Sequence, residues 1–321
     1  MDKPLISVCL ITYNHFNYIG LAIDSVLSQK LDVPWELIIA DDCSTDGTAG
    51  IVSAYKEKYP DLIRLLDHGK NLGPGLNFVN LINSARGKYI AYLEGDDYWI
   101  DDLKLQKQYK FLEENTGLSI CYHQVKWIDS VGNDFAWQDI KPGTPTNGSD
   151  PAVSNMHDLL KKGWFMRSCS LFFQKITIPN GFDKLMSGDY ALHVLIADKG
   201  NIGFIKQMMG VYRIHDKSAS NVDLTHIGVE KKREIFRREV DTLKWLDEKT
   251  HHKYTNGLMR RGAVLSCDYL LIVAKTKSHL FLEELRYALT NIGYRRVIKE
   301  LLKFAFWIIP LGLIGITKKR I

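Results

Sequence analysis

Within its first hundred residues the chain switches repeatedly between short, unbroken apolar runs and longer stretches with helical periodicity. LISVCLI is followed by the polar turn TYNHFN and the amphipathic segment YIGLAIDSVLSQ. ELIIA precedes GTAGIVSAYKEKYP, closed by Pro60; LIRLL precedes GPGLNFVNLINSARG, ended by Gly87; KYIAYL completes the series. Short apolar runs rich in β-branched residues predict strands buried on both faces. Helices of roughly ten to fifteen residues between such strands predict βαβ units and a parallel sheet. This alternation, more than any single motif, limits the fold to the α/β class.

In open α/β sheets, ligands bind beyond the carboxyl ends of the strands. Polar residues collect there in this chain: Thr12, Tyr13 and Asn14 after the first strand, Asp41, Asp42, Ser44 and Asp46 after the second, and Glu94, Asp96 and Asp97 after the fourth. Adjacent carboxylates at the end of a buried run repel one another and are costly to desolvate. A hard divalent cation, taking carboxylate oxygen on one side and substrate phosphate on the other, resolves that conflict. The alternative is that Asp96 caps a helix starting near residues 99–102 while the other acids are solvated.

The regular alternation loosens after residue 118. SICYHQVKWID, SCSLFFQK and GFIKQMMGVYRIH read as strands around the helix DYALHVLIADKG, and residues 132–152, rich in Gly, Pro, Asn and Asp, read as a loop. Beyond residue 222 the pattern is helical, in segments such as EIFRREVDTLKWLDEK and HLFLEELRYALTNIG. Charge divides at the same place. Residues 1–221 hold 22 Lys/Arg against 26 Asp/Glu (22 − 26 = −4), and residues 222–321 hold 20 against 11 (20 − 11 = +9). A basic half predicts contact with an anionic surface, with a solvated helical face as the alternative.

The apolar run 304–316 covers thirteen residues, short of the roughly twenty that cross a bilayer. Pro310 is expected to interrupt or kink it. With Trp307 and the flanking Lys303, Lys318, Lys319 and Arg320, it suits an interfacial membrane anchor or a terminal helix docked on the protein itself. Five scattered cysteines without CxxC spacing predict neither a zinc site nor a disulfide framework and fit a reducing cytoplasm. The N-terminal stretch reaches a polar stop too early for a secretory leader, so the sequon at Asn147 is read as chance.

Five segments, SVCLITYNHFNYIGLAIDSVLSQ, WELIIADDCSTDGT, GKYIAYLEGDDYW, SGDYALHVLIADKG and YRIHDKSAS, occur in an order that resembles the family 2 glycosyltransferases. These are inverting enzymes with the GT-A nucleotide-diphospho-sugar fold. The resemblance covers residues 4–220, is strongest through residue 110 and does not extend further. It implies a Rossmann-like mixed α/β sheet, with a GT-A domain over 1–221 and a basic helical region over 222–321.

The same resemblance implies roles for individual residues. Asp42 would accept a uracil N–H, with Thr12, Tyr13 and Asn14 lining that pocket and Asp41 holding the ribose or the loop. Asp97 would meet a Mn2+ or Mg2+ ion, and Asp96 the ribose or sugar. Here Gly95 stands where many members carry an acid or a small polar residue. Asp189, in the Gly188-Asp189 step opening a helix, matches the general base, with an N-cap as the alternative reading. Arg213 and His215 match pyrophosphate contacts, and Trp127 and Trp137 are open to stacking on an acceptor sugar. The implied activity is sugar transfer from a nucleotide-diphospho-sugar, UDP foremost, to a glycan or polyprenyl-diphosphate-linked oligosaccharide in surface polysaccharide synthesis at the inner membrane face.

Several classes are excluded or weakened. TYNHFNYIG after the first strand is not GxGxxG, no GxxxxGK[ST] loop is present, and the Gly-rich basic loop of a nucleotidyltransferase is missing. A metal-dependent nucleotide-sugar phosphohydrolase and a catalytically silent nucleotide-sugar-binding protein stay open as alternatives.

Overall fold

The structure, a computed structural model, describes residues 3–134, 152–216 and 228–313. Two compact units divide it: residues 1–184 with 188–221, and residues 185–187 with 222–321. Most of the loop expected over 132–152, including Trp137 and Asn147, lies outside the described residues, as does everything beyond 313.

In the first unit β1 (Ile6–Thr12), β2 (Trp35–Asp41), β3 (Ile63–Leu66) and β4 (Tyr89–Glu94) are the four expected strands. They alternate with α1 (Ile19–Leu27), α2 (Thr48–Lys58) and α3 (Pro74–Ser84). Ile6, Val8, Leu10, Leu37, Ile39, Ala91 and Leu93 are fully buried, the continuous burial that parallel strands between helical layers require. β1 pairs in parallel with both β2 and β4, and β2 with β3.

The second half of the sheet adds β5 (Tyr98–Trp99), β6 (Leu118–Ile128), β7 (Val153–Ser154), β8 (Phe172–Gln174) and β9 (Asn201–Arg213). The strand order is β3-β2-β1-β4-β8-β6-β9-β5, with β7 on β9. β8 runs antiparallel to both β4 and β6, while β6 and β9 are parallel, so the sheet is mixed. The segment expected as one strand at SCSLFFQK is divided: a 3-10 turn at Ser168–Ser170 precedes the short β8. The unit also holds α4 (Lys104–Glu114), α5 (Met156–Lys162) and α6 (Gly188–Ala197), the last of which carries Asp189.

In the second unit α7 (Val229–Lys249), α8 (Thr255–Thr276), α9 (Phe281–Ala288) and α10 (Tyr294–Leu313) follow one another, with a π-turn at Leu289–Gly293. α10 continues through position 310, so Pro310 does not end it as expected. Buried Glu284 on α9 binds Arg237 of α7 at 2.9 Å and Arg233 at 2.6 Å, pinning those two helices together. Among the described residues, no helix is long and apolar enough to cross a membrane. All five cysteines are free.

Candidate active site

The ends of β1 and β2 lie side by side, with Thr12 opposite Asp41. Hydrogen bonds stitch the turns that follow. Asn14 and Cys43 take left-handed conformations, φ 56° and 57°. Asn14 Oδ1 accepts the Thr45 N–H at 2.8 Å, and its own N–H donates to Ser44 Oγ at 2.8 Å. Asp41 accepts from the Ser44 N–H at 3.2 Å and from its hydroxyl. Asp46 accepts from Thr48 N and Oγ1 at 3.0 and 2.6 Å, capping α2, and from the Phe16 N–H at 3.0 Å. Asn14, Asp41 and Asp46 thus shape the rim of the site.

Asp42 is 3% exposed. Its two carboxylate oxygens accept the N–H groups of Leu72 and Gly73 at 2.7 and 2.9 Å, holding the loop before α3. Each oxygen retains acceptor capacity after those bonds. Tyr13, at the same rim, is 45% exposed and free to present its ring to a planar ligand.

The EGDD turn after β4 divides its two aspartates. A Cβ on Gly95 would lie 2.6 Å from Thr12 Oγ1 and 2.8 Å from His15 Nδ1. The β4 end approaches β1 so closely that only glycine fits. That is the physical reason for the departure from an acid or polar residue here. Asp96 Oδ2 faces His215 Nε2 at 3.0 Å and His15 Nε2 at 3.9 Å. Thr12 Oγ1, 3.3 Å from His15 Nδ1, fixes the ring so that Nε2 turns toward Asp96. The Tyr18 ring stacks on His215 with centroids 5.3 Å apart. Burial tends to raise the Asp96 carboxyl pKa, but the His215 hydrogen bond and the charge of His15 hold it below the ordinary value. Burial lowers the His15 pKa despite Asp96.

Asp97 points elsewhere. It is 2% exposed, and its Oδ1 accepts the backbone N–H of Arg213 at 2.8 Å. Burial, followed by the charges of Asp96 and Glu94, raises its pKa well above the carboxylate range. Its Oδ2, like Asp96 Oδ1, is buried without a hydrogen bond, and of the two it is Asp96 that is gathered with nitrogen donors. Arg213, the other expected contact here, is held by backbone carbonyls. It is 6% exposed, and its Nε and Nη1 donate to the carbonyls of Asp96, Asp129 and Ser130 at 3.0, 3.3 and 3.4 Å. It fastens the EGDD turn.

His15, Asp96 and His215 each offer a ligand atom, all within 4.8 Å of one another, the one such group among the described residues. Asp96 Oδ1 is buried without a hydrogen bond, the kind of orphaned acceptor a cation would satisfy. The residues present fit a divalent ion. His15 left no signal of its own in the sequence: a lone histidine in a loop has no periodicity to mark it, and its partners lie 81 and 200 residues away (96 − 15 and 215 − 15).

A second group lies at the ends of β4 and α6. Glu94 Oε2 accepts the Ser168 hydroxyl at 3.0 Å, and burial, with the charges of Asp96 and Asp189, pushes its pKa up to about 8. Asp189 is the second residue of α6, inside the helix rather than at its cap. Its surface is exposed, yet it sits deep enough among protein atoms that desolvation raises its pKa, opposed by the charge of Arg167. Arg167, unmarked in the sequence, lies over the rings of Trp127 and Tyr212, 4.6 and 5.5 Å from their centroids.

A parallel β1–β4 half-sheet continued by antiparallel β8 and by β6–β9, with its polar groups at the strand ends, is the GT-A architecture. The chain belongs to the family described as Glycosyl transferase family 2, which matches residues 7–174. An uncharacterised protein of Mycobacterium bovis is 34% identical over 214 residues, 65% of this chain and 58% of its own length. The chain thus spans a little over half of that relative. A candidate teichuronic acid biosynthesis glycosyltransferase of Bacillus subtilis, TuaG, is 41% identical over 114 residues, 36% of this chain and 44% of its own. Among solved structures, S. aureus TarS 1–349 in complex with UDP-GlcNAc superposes with TM-score 0.56 at 17% identity, covering 94% of this chain and 92% of that one. The mannosyltransferase PcManGT of Pyrobaculum calidifontis, in complex with GDP-Man and Mn2+, gives TM-score 0.51 at 14% identity, over 94% and 88%.

Proposed function

We propose that the chain transfers a sugar, with inversion, from a nucleotide-diphospho-sugar to a hydroxyl of a glycan or polyprenyl-diphosphate-linked oligosaccharide during surface polysaccharide synthesis. UDP is the nucleotide we favour, from the resemblance and from the UDP-sugar bound by TarS. The observation that carries the reading is the placement of Asp189, a carboxylate with an open face whose pKa is raised by burial, in a unit that also gathers His15, Asp96 and His215.

Asp189 accepts the proton of the acceptor hydroxyl as that oxygen attacks the anomeric carbon, and the bond from that carbon to the diphosphate oxygen breaks. Its raised pKa strengthens it as a base, offsetting the acidifying influence of a helix N-terminus. Tyr13 would lie against the uracil ring of the donor, and Asp42 would accept its N–H with a remaining lone pair. His15, Asp96 and His215 would hold the cation. Two imidazoles and one carboxylate suit Mn2+ better than Mg2+, which prefers oxygen donors. When bound, the ion neutralises charge developing on the departing nucleoside diphosphate. The basic region 222–321 would meet an anionic membrane surface at the inner face of the plasma membrane.

The test is a nucleotide-sugar panel assayed for Mn2+-dependent release of nucleoside diphosphate, with and without glycan acceptors. Asp189→Asn should lower turnover about 10²- to 10⁴-fold while leaving donor binding intact. Release unaffected by any acceptor would favour hydrolysis and end the transferase reading.

A further inference from the structure

Arg167 is a half-buried charge of the first unit held in a fixed place. Its backbone is fixed: it precedes the Ser168–Ser170 turn, and its carbonyl accepts both the N–H and the hydroxyl of Ser170, at 2.9 and 2.7 Å. The next residue, Ser168, is bonded to Glu94 at the end of β4. Its guanidinium is clamped over Trp127 and Tyr212, two rings that pack edge to face 5.0 Å apart. Yet among the described residues that guanidinium makes no hydrogen bond and no ion pair, and Nε is buried without a partner. Asp189 and Asp97 influence it from a distance only. A half-buried cation whose Nε has no partner is costly to maintain. Stacking on aromatic faces holds the planar fork in place but leaves its edge open for a bidentate oxyanion.

Which ligand the oxyanion belongs to follows from position. Arg167 directly precedes Ser168, which is bonded to Glu94 at the end of β4, and its charge reaches Asp189 and, as a smaller influence, Asp97. It thus stands beside the base. We infer that Arg167, braced by Trp127 and Tyr212, is a subsite for an oxyanion carried by the acceptor, so that the acceptor glycan is acidic, bearing a carboxylate or phosphate beside the hydroxyl that reacts. This rests on the transferase reading above and names its acceptor class.

The experiment compares matched glycosides bound to the full chain in the presence of UDP and Mn2+: p-nitrophenyl β-D-glucuronide against p-nitrophenyl β-D-glucoside, and glucose 6-phosphate against glucose. The wild-type chain should bind one anionic member of a pair at least about tenfold more tightly than its neutral mate, and which pair responds tells carboxylate from phosphate. Arg167→Gln should reduce that preference to within twofold, with UDP affinity, the measure of an intact fold, unchanged. Arg167→Lys, retaining charge without the fork, should keep only part of the preference. No preference in the wild type, a preference surviving Arg167→Gln, or a loss of UDP affinity instead would overturn the inference. A chain that distinguishes the pairs but releases no nucleoside diphosphate from any sugar donor would refute the transferase reading and leave the oxyanion subsite standing.

Discussion

At the scale of single residues, the adjacent aspartates of the EGDD turn keep different company. Asp96 faces two imidazoles and Asp97 receives the Arg213 N–H, and each keeps one buried oxygen without a hydrogen bond. Replacing each by alanine should separate the roles. Asp96→Ala should weaken Mn2+ binding at least tenfold, by analogy with the roughly 10–100-fold lost when even a ligand's supporting partner is removed. Asp97→Ala should leave Mn2+ affinity within about threefold but cost roughly 1–3 kcal/mol of stability, because a buried N–H loses its acceptor. Calorimetric titration with Mn2+ and chemical denaturation read the two quantities. The reverse pattern would restore Asp97 to the cation. The sequence shows two acids in a row and nothing of their directions. The direction is set by Gly95 pressing β4 against Thr12 and His15, a contact between residues eighty or more positions apart.

At the scale of elements, legibility follows burial and length. β1, β2 and β4 are buried on both faces and six or seven residues long, so each leaves an unbroken apolar run. β5 and β7 are two residues each, too short to show any period, and the antiparallel insertion of β8 between β4 and β6 is a matter of topology that no local pattern encodes. Helix α4 hides a different surprise. Lys104 opens it and is fully buried, its Nζ donating to Gln108 Oε1 at 2.6 Å and lying 3.9 Å from the Trp99 ring centroid. Nothing in the sequence distinguishes it from its solvated neighbours Lys107 and Lys110. Burial lowers its pKa from 10.5 to about 7. An unfolded chain holds this proton up to about 10.5 and the folded one only to about 7, so stability should rise with pH across that window. Lys104→Met should flatten the rise and stabilise the protein near pH 7 by a few kcal/mol at most, an upper bound because the amide and ring already offset part of the cost. Parallel denaturation curves from pH 7 to 10 test this; an unchanged slope would show that water reaches the amine.

At the scale of the whole molecule, charge and chemistry are allotted to different units. The sheet unit, which is net acidic, carries the aspartates and histidines of the candidate site, and residues 222–321 carry an excess of nine positive charges. That excess is not spent on the cluster around Glu284, where Arg233 and Arg237 meet Glu283 and Glu284 in equal number. Free basic charge next to an apolar terminal run would bind an anionic bilayer by two additive terms, one screened by salt over about 10 Å at 0.1 M and one not. The terms can be separated. The full chain should float with vesicles containing phosphatidylglycerol and much less with neutral ones, and raising salt should weaken but not abolish that binding. Removing residues 304–321 should eliminate the salt-resistant fraction and leave the salt-sensitive one. If the shortened chain still sediments with native membranes at high salt, the terminal run is not an anchor, and its apolar residues belong to the packing of the helical unit.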